Sequence, residues 1–194
     1  MFCKQIFSYL IISCVLFVSN SVRAQLVIEN QGATAEVVVN SIISGGLTIT
    51  NATINCPTNA YGTFTNGATT CANIESGLIL TTGNVNNVGQ AAGNINGTNY
   101  SESSGTTCAD PELLSLESNA TFDCCILEFD VVPSCDNLLI RFVFGSDEYP
   151  EYAPPAWLLY NDAFGFFVTG TNPAGPNYNN TNVATLPDNT TIVS

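Results

Sequence analysis

The sequence predicts an all-β fold: an antiparallel β-sandwich, jelly-roll or lectin-like, with one or two short helices and disulfide staples. Short apolar or alternating runs recur along the chain between turns rich in Gly, Asn and Pro, which is typical of sandwich strands. Helix signals are confined to two short stretches. Six cysteines remain after an amino-terminal leader, an even number that suits disulfide bonds in an exported protein.

Five segments have the pattern of strands. They are Leu47–Ile54, Ser76–Leu80, Phe122–Val132, Leu138–Phe144 and Ala163–Val168. The third and fourth carry the densest apolar signal and are joined by a turn at Pro133–Asp136. We therefore expect these two strands to form the centre of the core.

Two segments predict helices. Residues 34–46 place apolar side chains at helical spacing, with Thr34 as the cap and Gly45–Gly46 as the end, although their β-branched content leaves a strand as the alternative. Asp110, Pro111 and Glu112 give a second helix start, which predicts one or two turns through Leu116. Residues 81–107, rich in Asn, Gly, Ser and Thr, predict a long surface loop.

The first 24 residues are typical of a removable export signal. Lys4 precedes a 13-residue apolar run, Ile6–Val18, and Val22–Ala24 supplies the small residues of a cleavage site. That run is too short to span a membrane, and no second run of that length follows it. We therefore expect a signal peptide at 1–24 and a domain at 25–194, and the apparent strand at Val193–Ser194 suggests truncation at the carboxyl terminus.

The charge is strongly acidic. The chain has 16 Asp plus Glu against 3 Lys plus Arg, and Arg141 is the only basic side chain after the leader. Nucleic-acid binding needs a basic surface, so that class of partner is excluded. The chain has no His, which excludes Ser-His-Asp and Cys-His catalysis and His-ligated metal sites.

The cysteines after the leader predict up to three disulfides. They are Cys56, Cys71, Cys108, Cys124, Cys125 and Cys135. Neighbouring residues of a strand point to opposite faces, so Cys124 and Cys125 are expected to bond to different partners. The preferred pairing joins Cys56 to Cys71 and leaves Cys108 and Cys135 for the adjacent pair.

Acidic and amide side chains cluster in the connection after the fourth predicted strand. The candidate ligands of a metal ion are Asp147, Glu148, Glu151, Asn161 and Asp162. Carboxylate and amide oxygens without basic neighbours suit a hard cation, above all Ca²⁺. The alternatives are a solvated acidic loop and a pair of glycosidase carboxylates.

Aromatic residues crowd the same connection, at Tyr149, Tyr152, Trp157 and Tyr160. Flat rings beside carboxylates and amides are typical of a sugar-binding surface, and these four residues are the candidate ligand contacts. The alternative is that they cover and stiffen the end of the sandwich.

Three stretches of this sequence resemble the choice-of-anchor L domain of secreted bacterial surface proteins. They are Gly46–Thr53, Ile74–Gly83, and Phe142–Tyr152 together with Asn161–Phe167. The resemblance implies a cell-surface location and, in Bacteroidetes-like members, a carboxyl-terminal sorting tail for type IX secretion. The family has no firmly assigned activity, so the resemblance implies no reaction.

Together these observations predict a secreted, cell-surface interaction or adhesion module that is not an enzyme and that binds glycan or protein ligands with Ca²⁺. We expect it to be joined to further carboxyl-terminal domains or to a sorting tail. A structural spacer without a ligand is the first alternative, and a glycoside hydrolase is the second.

Overall fold

The structure, a computed structural model, describes residues 26–43, 45–70, 72–87, 105–134, 137–146, 162–187 and 191. Its elements are, in chain order, β1 (Val27–Glu29), α1 (Ala35–Asn40), β2 (Leu47–Asn55), β3 (Tyr61–Thr65), β4 (Gly77–Leu80), a 3₁₀ turn (Val85–Asn87), α2 (Pro111–Leu116), β5 (Ile126–Pro133), β6 (Phe167–Gly170) and β7 (Tyr178–Asn182). All pairs between these strands are antiparallel. The predicted all-β class, with two short helices and disulfide bonds, is confirmed.

The strands form three small sheets in the described part of the chain: β1-β3-β4, β2-β5 and β6-β7. Strand β3 is central in the first sheet, with β1 on one side and β4 on the other. It is also the most buried strand, since four of its five residues are buried. A strand with neighbours on both edges satisfies its backbone groups in the ladder, which allows it to lie inside the protein.

The core of the described residues gathers around this sheet. Its buried apolar side chains are Ala35, Val38, Val39, Ala60, Tyr61, Phe64, Val85 and Ala184. Helix α1 contributes Ala35, Val38 and Val39, which lie three and four residues apart and therefore share one face. The Tyr61 hydroxyl donates a hydrogen bond to the Ala33 carbonyl at 2.9 Å, so the strand is tied to the start of this helix.

Both predicted helices are present. Thr34 occupies the cap position of α1 but makes no side-chain capping bond, and α1 ends at Asn40, earlier than the predicted Gly45–Gly46. At α2, the Asp110 carboxylate accepts a hydrogen bond from the Leu113 backbone N–H at 2.9 Å, as expected for its cap.

The β2-β5 pair confirms two of the predicted strands and contains a bulge. Thr50 pairs with Asp130 and Thr53 pairs with Glu128, so Asn51 and Ala52 together face one residue. Asn51 has φ 53°, a left-handed conformation that Asn tolerates better than most residues. Its side-chain amide donates to the Asp130 carboxylate at 2.6 Å across the pair.

The predicted strand at Leu138–Phe144 is wrong. These residues are described and belong to no strand, and five of their large apolar side chains are exposed, Leu139 to 84%. The alternating pattern shows that the segment is compatible with a strand conformation. A strand also needs a neighbouring strand to pair with, and these residues pair with none of the described strands.

Other boundaries differ from prediction. Strand β5 begins at Ile126 rather than Phe122, because residues 122–125 form the junction with the disulfides. The strand expected at Ala163–Val168 is displaced and runs as β6 from Phe167 to Gly170. Of the predicted loop at 81–107, only residues 81–87 and 105–107 lie in the described ranges, and the 3₁₀ turn is among them.

Both helices of the described chain have six residues, well short of the length needed to cross a bilayer. Within the described ranges, no helix qualifies as a membrane span.

Candidate functional site

Most of the predicted metal and ligand site lies outside the described residues. The residues concerned are Asp147, Glu148, Tyr149, Glu151, Tyr152, Trp157, Tyr160 and Asn161. Asp162 is described, is half-buried, and lies two residues before Phe164. The calcium and ligand assignments therefore stay predictions.

The two chain segments that flank this acidic connection lie side by side. The rings of Phe142 and Phe164 are in contact, with centroids 5.2 Å apart and planes inclined by 39°. Such tilted contacts between aromatic rings are favourable beyond the apolar area that they bury. Phe142 is five residues before Asp147 and Phe164 is two after Asp162, so this contact joins the chain shortly before the connection to the chain shortly after it.

Within the described residues, the remaining acids form no metal-binding cluster. No group of three or more His, Cys, Asp or Glu side chains in those ranges is placed to hold a metal ion. Every buried side-chain nitrogen or oxygen there has a hydrogen-bond partner.

A cleft of about 570 Å³ opens where the described disulfides meet. Its lining residues are Asn55, Cys56, Pro57, Thr106, Thr107, Cys108, Ala109, Asp110, Pro111, Cys124 and Ile126. The volume is within the range of small-molecule pockets. The lining offers hydroxyl and amide groups and one carboxylate, that of Asp110, which already caps α2.

The first disulfide joins Cys56 to Cys125, so the predicted pairing of Cys56 with Cys71 is wrong. The register of the β2-β5 ladder explains the correction. Asn55 pairs with Ile126, and the next position beyond the end of the ladder brings Cys56 opposite Cys125. Their Cα atoms are 4.3 Å apart. The bonded partner of Cys56 is therefore not the cysteine nearest to it in sequence.

The second disulfide joins Cys108 to Cys124. The expectation that Cys124 and Cys125 have different partners is confirmed, as is the assignment of Cys108 to the adjacent pair. The assignment of Cys135 to the same pair is wrong, because both of its members are bonded elsewhere. Cys71 and Cys135 themselves lie outside the described residues.

A buried carboxylate holds the chain in place beside this second disulfide. Asp123 is 9% exposed, and its side chain accepts a hydrogen bond from the Thr106 N–H at 3.2 Å. Its own N–H donates to the Thr106 carbonyl at 2.8 Å, while Thr107 and Phe122 form an isolated antiparallel bridge. These bonds align residues 106–108 with residues 121–123 and bring Cys108 close to Cys124.

The cleft was missed at the level of sequence. The one feature of the sequence that could have indicated it is the adjacency of Cys124 and Cys125. Two neighbouring cysteines with different partners bring two other chain segments close to the same place in the structure. Which segments these were depended on the ladder register, which the sequence pattern does not specify.

A sequence model of the choice-of-anchor L domain family matches residues 26–194 of this chain. The match begins two residues after the predicted cleavage at Ala24 and extends over all described residues. No curated protein and no solved structure matches the chain.

Proposed function

This chain belongs to the choice-of-anchor L domain family, and from that membership we propose that it is the secreted interaction module of a cell-surface protein. The family is one of surface-associated domains, which supports the class of the module and its extracellular or surface location. Its ligands and its dependence on calcium are the parts that we add.

Export through a signal peptide is the first part of the proposal. It is supported by the apolar run at Ile6–Val18 and by a family match that starts just after the predicted cleavage site. Mass spectrometry of the exported protein is expected to find Gln25 as its first residue. A first residue upstream of the apolar run would contradict cleavage and indicate a retained leader.

Ligand binding at the acidic connection is the second part. The observation that carries it is the Phe142–Phe164 contact, which joins the two chain segments that flank a connection rich in acidic and aromatic residues. Binding residues are often found on loops that a rigid scaffold positions in this way. We propose that Asp147, Glu148, Glu151, Asn161 and Asp162 bind Ca²⁺ and that the bound ion orders the neighbouring aromatic residues for a glycan or protein ligand.

Thermal unfolding of residues 25–194 tests the metal assignment, first with EDTA and then with millimolar CaCl₂. A ligand that binds only the folded state adds about 2.7 kcal/mol at a hundred times its dissociation constant. For a domain of this size, such a gain raises Tm by roughly 5–10 °C. The double variant Asp147→Asn/Asp162→Asn is expected to lose this shift and to lose any calcium-dependent binding to a glycan array.

The matched control is Glu36→Gln/Glu128→Gln, which also removes two carboxylates, both exposed and outside the acidic connection. This control is expected to keep the calcium shift. A Tm that is indifferent to calcium in the parent protein would contradict the metal site and support the spacer alternative. Turnover of a polysaccharide with a pH profile set by carboxyl groups would overturn the non-catalytic assignment.

A further inference from the structure

We propose that the cleft between the two described disulfides binds a neutral saccharide, independently of calcium. We call it the disulfide cleft. It is a second ligand site, because none of the candidate residues of the acidic connection is among its described lining residues. The inference goes beyond the proposed function, which places a calcium-dependent ligand at that connection.

Three chain segments line the disulfide cleft and are bonded to one another. Residues 55–57 and residues 106–111 supply most of the described lining, and Cys124 and Ile126 supply the rest. The stretch that contains these last two residues is tied to both of the other segments, since Cys125 is bonded to Cys56 and Cys124 to Cys108. A site that is fixed before its ligand arrives loses less conformational entropy on binding.

Three polar side chains of the lining have hydrogen-bonding capacity that the fold does not use. Within the described part of the chain, the exposed Asn55 amide and the exposed Thr107 hydroxyl have no hydrogen-bond partner. The Asp110 carboxylate accepts one hydrogen bond there, from the Leu113 N–H at 2.9 Å, through one of its two oxygens. An amide and a hydroxyl both donate and accept, and a carboxylate accepts, so these groups together complement the hydroxyls of a sugar.

An exposed aromatic ring lies at the edge of the cleft. Phe122 is 65% exposed, and it pairs with Thr107 in the isolated antiparallel bridge. The backbone hydrogen bonds donated by the Cys108 and Asp123 N–H groups lie on either side of this pair. It is therefore a non-hydrogen-bonded pair, in which the two side chains share a face and approach closely. The ring of Phe122 thus lies beside the unpaired hydroxyl of Thr107.

The chemistry of these groups selects the class of ligand. A sugar ring presents C–H groups, which pack on aromatic and apolar side chains, and hydroxyls, which need donors and acceptors. Phe122, Pro57 and Ile126 provide the apolar surface. The described lining has no basic side chain to pair with an anion, and its one carboxylate already caps α2, which disfavours an organic cation. A neutral saccharide satisfies each of these conditions.

NMR titration of the exported protein tests the proposal, with EDTA present throughout. The probes are the methyl glycosides of glucose, galactose, mannose and N-acetylglucosamine, each at millimolar concentration. We expect at least one of them to shift the backbone amide signals of Thr107, Cys108 and Phe122 more than those of other residues. Because EDTA removes calcium, this result does not depend on the acidic connection and is separate from the success or failure of the proposed function.

The double variant Asn55→Ala/Thr107→Val removes two of the polar groups and keeps both disulfides. Since each hydrogen bond to a ligand changes Kd by about two- to tenfold, we expect this variant to bind the sugar about tenfold more weakly. The matched control is Asn40→Ala/Thr48→Val, which makes the same substitutions at exposed positions outside the described lining. This control is expected to bind like the parent protein.

Phe122→Ala tests the contribution of the ring, and Leu139→Ala, which shortens another exposed apolar side chain, is its control. We expect Kd to rise about fivefold in the first variant and to stay unchanged in the second. The proposal would be overturned if none of the four sugars shifted these signals, or if the double variant bound as well as the parent. Tighter binding of putrescine than of every sugar would likewise contradict it and would assign the cleft to organic cations.

Discussion

Residues 26–87 and residues 137–187 differ in how they use their apolar side chains. Among the described residues, the first region buries seven of them, whereas the second buries Ala184. In the first region a strand paired on both edges lies beside a helix and a 3₁₀ turn. In the second, β6 and β7 pair only with each other among the described strands, and the apolar side chains of residues 138–143 face outward. The difference indicates that stability is concentrated in the first region and that the second provides accessible surface.

Truncation of one large side chain in each region gives the most direct test. Phe64 is 7% exposed and Phe142 is 41% exposed, and both are phenylalanines. We expect Phe64→Ala to lower the free energy of unfolding by about 3–5 kcal/mol, because it removes a buried ring and leaves a cavity. Phe142→Ala is expected to cost about 1 kcal/mol, since it loses mainly the contact with Phe164.

Chemical denaturation of both variants measures the two costs. Equal costs would show that the second region contributes as much stability as the first, and would contradict the difference inferred from burial.

The disulfides add to the difference between the two regions, because both lie on the amino-terminal side of residue 137. Closing a longer loop removes more entropy from the unfolded chain. Loss of Cys56–Cys125 is therefore expected to cost about 4 kcal/mol and loss of Cys108–Cys124 about 3 kcal/mol. Urea unfolding of the two paired Cys→Ser variants compares them, and a larger cost for the shorter loop would contradict the entropic explanation.

A glycine in each region provides a smaller, paired test. A Cβ on Gly67 would meet the Ile74 carbonyl oxygen and lie 2.8 Å from the Phe64 ring, whereas a Cβ on Gly145 would meet no atom of the described residues within 4 Å. We expect Gly67→Ala to destabilise the protein by about 1–3 kcal/mol through overpacking. Gly145→Ala is expected to stay within about 0.5 kcal/mol of the parent. A Tm shift at Gly145 that matches the one at Gly67 would indicate packing around the second region that its exposure does not show.

The smallest change in stability is expected for a substitution at the start of α2, which lies between the two regions in sequence. Asp110→Ala removes the acceptor for the Leu113 N–H and is expected to cost about 1 kcal/mol. Asp110→Asn keeps a capping oxygen and is the control that retains most of that stability. Differential scanning calorimetry of the pair separates loss of the cap from loss of the charge, and similar losses in both variants would assign the effect to charge.

Local signals explain which elements could be predicted from the sequence. Strand β2 has strict alternation, and α2 has Asp and Pro at its start, so each carries its own evidence. Strand β3 was missed because Tyr61–Thr65 is short, contains Gly62 and alternates poorly, although it is the most buried strand. Its place at the centre of a sheet comes from β1 and β4, which a local pattern does not reveal. Strands β1 and β7 were missed as well, and each has five residues or fewer.

Leu138–Phe144 shows the opposite failure. The segment has strong strand propensity and clear alternation, yet it pairs with none of the described strands, because propensity describes one chain and pairing requires two. The disulfides depended on the same missing information. Once Asn55 is known to pair with Ile126, the Cys56–Cys125 bond can be predicted. That register, however, cannot be derived from the sequence pattern alone. Of the candidate metal site, Asp162 alone lies in the described ranges, so the clustering of acidic and amide residues in the sequence remains its main support.

The exposed segment at 138–143 also determines where a protease can cleave this domain. Arg141 is exposed and is the only Lys or Arg after the predicted leader, so trypsin has one bond to cut in residues 25–194. All six cysteines of those residues precede Arg141, which leaves the fragment 142–194 without any covalent tie to the rest. A single cleavage therefore divides the domain into a cross-linked part and a cysteine-free part, whereas an enzyme that requires lysine finds no site at all.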